Sequence, residues 1–107
     1  MRIFVGYGFN ERDRWVEELV FPIIRAFGDE VMDGKEVQGR IITEAIKQKI
    51  QQSNAVIGFA TRRDRINNQE RWTTHQWVRD ELVTAHACNL PIVEIRELGV
   101  DEQDGII

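Results

Sequence analysis

The sequence is poor in cysteine, shows no excess of basic residues and has no long apolar run. Cys88 is the single cysteine among 107 residues, so no disulfide can form within the chain. A lone cysteine is typical of a reducing compartment. No stretch approaches the roughly 20 apolar residues of a membrane-spanning helix, and the N-terminus lacks a basic and then apolar secretion signal. We therefore expect a cytoplasmic domain that does not enter a membrane.

The charge balance is mildly acidic, with 14 basic against 18 acidic residues and a net charge of -4. This balance disfavours nonspecific attraction to nucleic acid or to anionic lipid. The cluster Arg62, Arg63 and Arg65 is typical of a solvated loop, although its guanidinium groups can hold phosphate. Scattered His75, His86 and Cys88 do not match the spacing of a zinc motif. The composition therefore favours a small-molecule or protein partner, and we expect no metal site.

Short apolar segments alternate with amphipathic ones along the chain. The apolar runs predict strands over 2–5, 30–33, 55–60 and 90–95, and the helical periodicity predicts helices over 15–27, 41–53 and 74–89. Pro22 lies inside the first helical pattern, where its missing N–H predicts a kink or a break. Gly28 suits the end of that helix, and Asn10 or Asp13 suits its start. The alternation predicts an α/β fold, a parallel sheet with helices on both faces.

Three loops are expected to meet beyond the carboxyl ends of the strands, where such sheets bind ligands: 6–12, 33–39 and 60–73. Nearby, Trp77 and Glu81 are four residues apart on the third predicted helix and share one face. A carboxylate beside an indole at this place is partly desolvated, which raises its pKa. Spacing alone, however, favours a solvated glutamate beside an interfacial tryptophan.

The order of several short motifs resembles that of TIR (Toll/interleukin-1 receptor) domains over roughly residues 2–96. These motifs are Ile3-Phe4-Val5-Gly6-Tyr7, Val31-Met32-Asp33 with Gly39 after it, Ser53 before a buried strand, Trp77-Val78-Arg79-Asp80-Glu81-Leu82-Val83-Thr84-Ala85, and Ile92-Val93-Glu94-Ile95. The resemblance implies a flavodoxin-like three-layer sandwich with a central parallel sheet of four to five strands in the order 2-1-3-4-5. Two departures are Gly6, where the family usually has serine, and a short 33–39 loop without an apolar-proline tip. Gly6 should leave the fold intact and change how the loop meets a ligand, whereas the short loop argues against an adaptor that only docks and fits a bacterial-type, NAD-consuming TIR domain better.

For activity, the resemblance implies an NAD+ glycohydrolase or cyclase that cleaves the nicotinamide–ribose bond, with NAD+ as substrate rather than cofactor. Glu81 matches the essential glutamate of the enzymatic members. A carboxylate can stabilise the oxocarbenium-like state of this cleavage. Nicotinamide leaves as a neutral molecule, so no second catalytic acid is needed.

For the remaining site residues, the resemblance implies a nicotinamide pocket in the first loop, formed by Tyr7, Gly8, Phe9 and Asn10. Phe9 as a surface hydrophobe is an equal alternative. Asp33 and the loop after it match the segment that rearranges when TIR domains assemble, although Asp33 as a turn former is an alternative. Trp77 matches the tryptophan of the family's helix motif, whose packing would orient Glu81.

For organisation, residues 1–107 are expected to form a single TIR-like domain. Only four of five strands are visible, so we expect a fragment of a longer protein that lacks the last strand and helix. The resemblance implies activation by self-association through TIR–TIR contacts, with a sensor or regulatory domain outside this chain, and a role in antiviral defence. Two alternatives stay open. One is a non-enzymatic TIR scaffold, and the other is an enzyme like nucleoside 2-deoxyribosyltransferases, which use a glutamate against a sugar carbon.

Overall fold

The computed structural model describes residues 1–35, 43–67 and 70–101 of the chain. The strands are β1 (Arg2–Gly6), β2 (Glu30–Met32), β3 (Ala55–Ala60) and β4 (Ile92–Arg96), and the α-helices are α1 (Phe21–Ala26), α2 (Glu44–Gln51) and α3 (Gln76–Ala87). A 3-10 turn (Glu11–Asp13) and a π-helix (Val16–Val20) lie between β1 and α1. None of the helices in these ranges is long and apolar enough to cross a membrane.

The four strands form one parallel sheet in the order β2-β1-β3-β4. The predicted α/β fold is therefore confirmed, and the order is the one expected for the first four strands. β1 is central, and its last residue, Gly6, pairs with Gly58 of β3. Because all strands run in one direction, the loops after β1, β2 and β3 leave the sheet at the same edge. This edge carries the residues that the sequence predicted to be functional.

Alternate residues of β1 belong to two different apolar clusters. Ile3 and Val5 lie in a cluster with the π-helix and α1 residues Val16, Phe21 and Ile24. Phe4 lies in the other cluster, with the α2 and α3 residues Ile46, Ile50, Val78, Leu82 and Ala85. Since successive side chains of a strand point to opposite faces, the two clusters cover opposite faces of the sheet.

The first helical segment covers the range that the periodicity predicted, 15–27, but its hydrogen bonding changes along it. Residues Val16–Val20 form a π-helix and Phe21–Ala26 form an α-helix, and the backbone stays helical across the junction because Val20 and Phe21 both have right-handed helical φ and ψ. Pro22 lacks the N–H that would donate to the carbonyl oxygen four residues before it. The distortion expected at Pro22 therefore takes the form of π-type hydrogen bonding in the turn before it, without a break in the helix. Gly28, at φ 81°, follows the helix end as expected.

Other boundaries shift by a few residues. α2 begins after Thr43, whose hydroxyl accepts a hydrogen bond from the Ile46 N–H, and the predicted start at 41–42 lies outside the described residues. β4 begins at Ile92 rather than at position 90, because Pro91 can offer only its carbonyl, which accepts from the Val56 N–H at 3.0 Å. Only 33–35 of the predicted 33–39 loop is described.

Candidate functional site

Glu81 lies on α3, and its side chain is buried, with only 2 % of the residue exposed. Two glycines make room for it, Gly6 at the end of β1 and Gly34 in the loop after β2. A Cβ atom at Gly6 would lie 2.8 Å from Oε1 of Glu81, and one at Gly34 would lie 2.9 Å from Oε2. The solvated glutamate that spacing alone favoured is therefore wrong. A side chain at Gly6 would require the Glu81 carboxyl group to shift, so the absence of a side chain there suits the observed position of the carboxyl group.

The Glu81 carboxyl group has an unusual electrostatic environment. Its Oε1 atom is buried and has no hydrogen-bond partner among the described residues. Burial, above all, raises the pKa of Glu81 well above its ordinary value, and the negative charges of Asp33 and Asp80 raise it further. A buried carboxyl group with a strongly raised pKa, at the ligand-binding edge of a parallel sheet, is a candidate functional group.

An aromatic group connects the helix of Glu81 to the first loop. The indole N–H of Trp77 donates a hydrogen bond to the carbonyl oxygen of Tyr7 at 2.8 Å. The ring of Phe9 is stacked on Trp77, with ring centroids 5.5 Å apart and planes 11° apart. Tyr7 meets Phe9 edge to face at a centroid distance of 4.9 Å. Phe9 is therefore half-buried in a packed group rather than a surface hydrophobe, and Trp77 fixes α3 relative to the loop.

The first loop lines a cavity of about 410 Å³, here called the first-loop cavity, which is within the size range of small-molecule sites. All four residues predicted for the nicotinamide pocket line it, together with four charged residues: Tyr7, Gly8, Phe9, Asn10, Glu11, Arg14, Glu17 and Lys35. The other predicted site residues, Asp33, Trp77 and Glu81, are not among its lining residues. Gly34, in the loop after β2, packs against the Glu81 carboxyl group instead.

Tyr7 joins the first loop to the loop after β2 through its buried hydroxyl group. The hydroxyl lies 2.6 Å from Oε1 of Glu17 and 2.9 Å from Oδ2 of Asp33, and it can donate its single hydrogen to either. Burial, followed by these two acidic neighbours, raises the pKa of Tyr7. Lys35 donates to Glu17 at 2.6 Å and lowers the pKa of that carboxyl group. Sequence analysis missed Glu17 and Lys35, because nothing local connects either residue with Tyr7.

A second buried carboxyl group belongs to Asp13, the last residue of the 3-10 turn that follows the first loop. It accepts hydrogen bonds from Asn10 at 2.9 Å and from Thr61 at 3.0 Å, and His75 Nε2 lies 3.3 Å away. Burial alone would raise the pKa of Asp13, but the hydrogen bonds from His75, Asn10 and Thr61 outweigh it and the pKa lies below its ordinary value. The polar group fills the space beside Gly8, where a Cβ atom would lie 2.2 Å from Asp13.

Asp13 and His75 were not predicted as members of the site. The Asn10-x-x-Asp13 spacing was a usable local signal, since the Asn10 side chain caps the 3-10 turn by accepting from the Asp13 N–H. The pairing with His75 had no such signal. Within residues 1–35, 43–67 and 70–101, no group of three or more His, Cys, Asp or Glu side chains is placed to hold a metal ion.

No protein-family model matches the chain, and no curated protein matches it either. The resemblance to TIR domains therefore remains a prediction from the order of the sequence motifs.

Proposed function

We propose that this chain is a TIR-type NAD+ nucleosidase that acts in the cytoplasm, with Glu81 as its essential carboxylate. The Glu81 carboxyl group is the observation that carries the proposal. It is 2 % exposed, its Oε1 has no partner in the described chain, and it lies beside the ends of β1 and β2. A buried carboxyl group without partners lowers stability, so a role in chemistry accounts for it better than a role in folding.

The chemistry requires one negative charge near the ribose. As the bond between C1′ and the nicotinamide nitrogen breaks, its electron pair goes to nicotinamide, which leaves as a neutral molecule. C1′ becomes positive, and the Glu81 carboxylate stabilises that charge strongly because the surroundings exclude water. In hydrolysis, the oxygen of water then bonds to C1′ and releases a proton, giving ADP-ribose. In cyclisation, a ring nitrogen of the adenine takes the place of water.

The first-loop cavity suits the nicotinamide ring in its bound, positively charged form. Phe9 is half-buried and supplies aromatic surface, which attracts cations as well as apolar rings. The acidic side chains of Glu11 and Glu17 in the same lining are paired with Arg14 and Lys35, so the charged residues of the lining balance one another. Neutral nicotinamide loses the attraction between its positive charge and the aromatic ring, so product release is favoured.

The proposal requires a change of conformation before cleavage. Gly34 packs against the Glu81 carboxyl group, and Glu81 does not line the first-loop cavity. In the proposal, the loop following Asp33 moves so that the ribose reaches Glu81. We place this movement in self-association through TIR–TIR contacts, driven by a sensor or regulatory domain outside this chain. An antiviral defence role follows from the same resemblance.

The test is nicotinamide release from NAD+ by the chain fused to a self-assembling scaffold, followed by chromatography. We expect Glu81→Gln to lower the rate by about 10²–10³-fold, because it removes the charge that stabilises the transition state. The matched control is Glu30→Gln, the same chemical change at the opposite end of the sheet, which should keep the rate.

Equal rates for Glu81→Gln and the unmodified chain would show that the role of Glu81 is wrong. If no assembled form consumes NAD+ but the chain binds another TIR domain, the scaffold alternative is correct. Base exchange on deoxynucleosides without NAD+ cleavage would select the deoxyribosyltransferase alternative.

A further inference from the structure

A second cavity, of about 380 Å³, adjoins the first-loop cavity and is here called the arginine cavity. The two cavities share Asn10 and Glu11. The remaining lining consists of three arginines and the buried histidine: Arg12, Arg62, Arg63 and His75. Three arginines and one acidic residue, Glu11, contribute to this lining, in a chain with a net charge of -4. The positive charge is therefore concentrated at the ligand-binding edge of the sheet.

Two of the three arginines, Arg12 and Arg62, are held in place by contacts with the protein. The Arg12 guanidinium donates a hydrogen bond to the carbonyl oxygen of Arg62. Arg62 donates from Nε to the Leu98 carbonyl at 2.6 Å, and its guanidinium lies 4.2 Å from the ring centroid of Trp72. Side chains fixed before a ligand arrives lose less conformational entropy on binding. Arginine also binds phosphate through two parallel hydrogen bonds.

The Glu97 carboxylate lies beside two of these arginines, Arg12 and Arg62, so it would compete with a bound phosphate for them. It lies 3.9 Å from Arg12 and 3.9 Å from Arg62, and it accepts a hydrogen bond from the Arg62 N–H at 2.7 Å. The Glu97 side chain is 42 % exposed, so these ion pairs are screened by water and weak. A stronger anion can therefore compete for the same guanidinium groups.

A third cavity, of about 410 Å³, adjoins the arginine cavity and shares no lining residue with the first-loop cavity. It is here called the tryptophan cavity. It shares Arg12 and Arg62 with the arginine cavity, and its lining includes Trp15 and Phe59, which meet edge to face at 5.4 Å. Aromatic residues thus flank the arginine cavity on both sides. A dinucleotide has the same order, with an aromatic ring at each end and a diphosphate between them.

We propose that Arg12, Arg62 and Arg63 bind the diphosphate of a nucleotide. The inference rests on the proposed function, since it assigns the diphosphate of NAD+ to the arginine cavity and the adenine to the tryptophan cavity. It also extends the sequence prediction in a specific way. Arg62 and Arg63 were considered as phosphate contacts together with Arg65, whereas the cavity contains Arg12 and its lining does not include Arg65.

The test uses ADP, which carries a diphosphate and an adenine but no nicotinamide, and measures its affinity for the chain by titration calorimetry. We expect Arg12→Ala and Arg63→Ala each to weaken binding by at least about tenfold, since each removes a charge-assisted hydrogen bond. Arg2→Ala is the matched control, because it removes the same charge at the amino end of β1. Glu97→Gln should tighten binding. Arg62 is left intact because its contacts with Trp72 and Leu98 also support the fold.

Wild-type affinity for ADP in both Arg12→Ala and Arg63→Ala would overturn the proposal, provided that thermal melting shows both variants folded. Inorganic pyrophosphate separates a nucleotide site from a simple anion site. Trp15→Ala should weaken ADP binding several-fold and leave pyrophosphate binding unchanged. Equal affinities for the two ligands, with no effect of Trp15→Ala, would overturn the nucleotide assignment.

The same variants separate this proposal from the nucleosidase proposal. Arginine-dependent ADP binding without any nicotinamide release would contradict the nucleosidase alone. Nicotinamide release with an unchanged KM for NAD+ in Arg12→Ala and Arg63→Ala would contradict the diphosphate site alone.

Discussion

Asp13 and Glu81 are two carboxyl groups with equal burial and opposite surroundings. Each residue is 2 % exposed, and each lies near the carboxyl end of β1. Asp13 is contacted by three hydrogen-bonding side chains, which together hold its pKa below the ordinary value. Oε1 of Glu81 has no hydrogen-bond partner within the described part of the chain, two acidic residues act on the carboxyl group, and its pKa is raised. The partners of a buried carboxyl group therefore decide its charge, and burial alone does not.

The difference in hydrogen-bond partners suggests a structural role for Asp13 and a chemical role for Glu81. A buried charge whose hydrogen bonds are satisfied fixes the elements that supply the donors, here the first loop and the segment before α3. A buried carboxyl group without partners lowers stability and keeps its oxygen available for a ligand. Asp13 thus supports the site, and Glu81 is the group that can act in it.

The largest expected effect is the loss of stability in Asp13→Ala. The substitution leaves the buried side chains of Thr61 and His75 without their acceptor, and since each such loss costs roughly 1–3 kcal/mol we expect a decrease of about 3 kcal/mol. Urea denaturation followed by circular dichroism should show this decrease in the free energy of unfolding. Glu30→Ala, at an exposed carboxylate, is the control and should change the value by less than about 0.5 kcal/mol. Equal stabilities of the two variants would contradict the assignment of Asp13.

Glu81→Gln should raise the free energy of unfolding, in contrast to Asp13→Ala, by about 1–2 kcal/mol at pH 8. The reason is that a neutral amide is easier to bury than a carboxylate without partners. The raised pKa means that the folded chain binds the Glu81 proton more tightly than the unfolded chain. Above the ordinary value of 4.5, stability therefore falls with rising pH in the unmodified chain, until Glu81 ionises in the folded state. Unfolding at pH 5 and pH 8 should show a larger gain from Glu81→Gln at pH 8. An equal gain at both would contradict the raised pKa.

Local sequence patterns were enough to predict a parallel sheet with helices, because strands and helices have short periodic patterns of apolar residues. The order of the strands was expected from the resemblance to TIR domains. β3 was predicted with its observed bounds, and the first-loop residues do line a cavity. The surroundings of Glu81 could not be predicted, since they depend on Gly6 of β1 and on Gly34 of the loop after β2, which are distant from Glu81 in sequence. The π-helix was also missed, because apolar periodicity does not distinguish hydrogen bonds of different spacing.

The same limit explains why Asp13 was expected only as a possible helix cap. Its donors come from three segments, and two of them, Thr61 and His75, are distant in sequence. A side chain's charge state in the folded protein is set by such long-range neighbours. The sequence therefore shows that both carboxyl groups exist. Only the fold shows that Asp13 has hydrogen-bond donors and that Oε1 of Glu81 has none among the described residues.

The smallest expected effect is a shift of the pH–rate profile in Asp33→Asn, which tests whether Asp33 acts on Glu81 through its charge. The negative charge of Asp33 contributes to the raised pKa of Glu81, so its removal should lower that pKa. Because cleavage needs the ionised carboxylate, the rising limb of kcat/KM for NAD+ should move toward lower pH. At a pH on that limb, the change in rate should be less than about tenfold, as expected for one neighbouring charge.

Glu17→Gln is the matched control for that shift, since Glu17 contacts the same Tyr7 hydroxyl group at 2.6 Å but is not among the causes of the raised pKa of Glu81. Both variants disturb the Tyr7 hydrogen bonds, and only Asp33→Asn removes a charge that acts on Glu81. A shift in Asp33→Asn alone would show that the charge of Asp33 controls when Glu81 ionises. The same shift in both variants would show that the hydrogen bonds of Tyr7 are responsible, and the assigned electrostatic role of Asp33 would then be wrong.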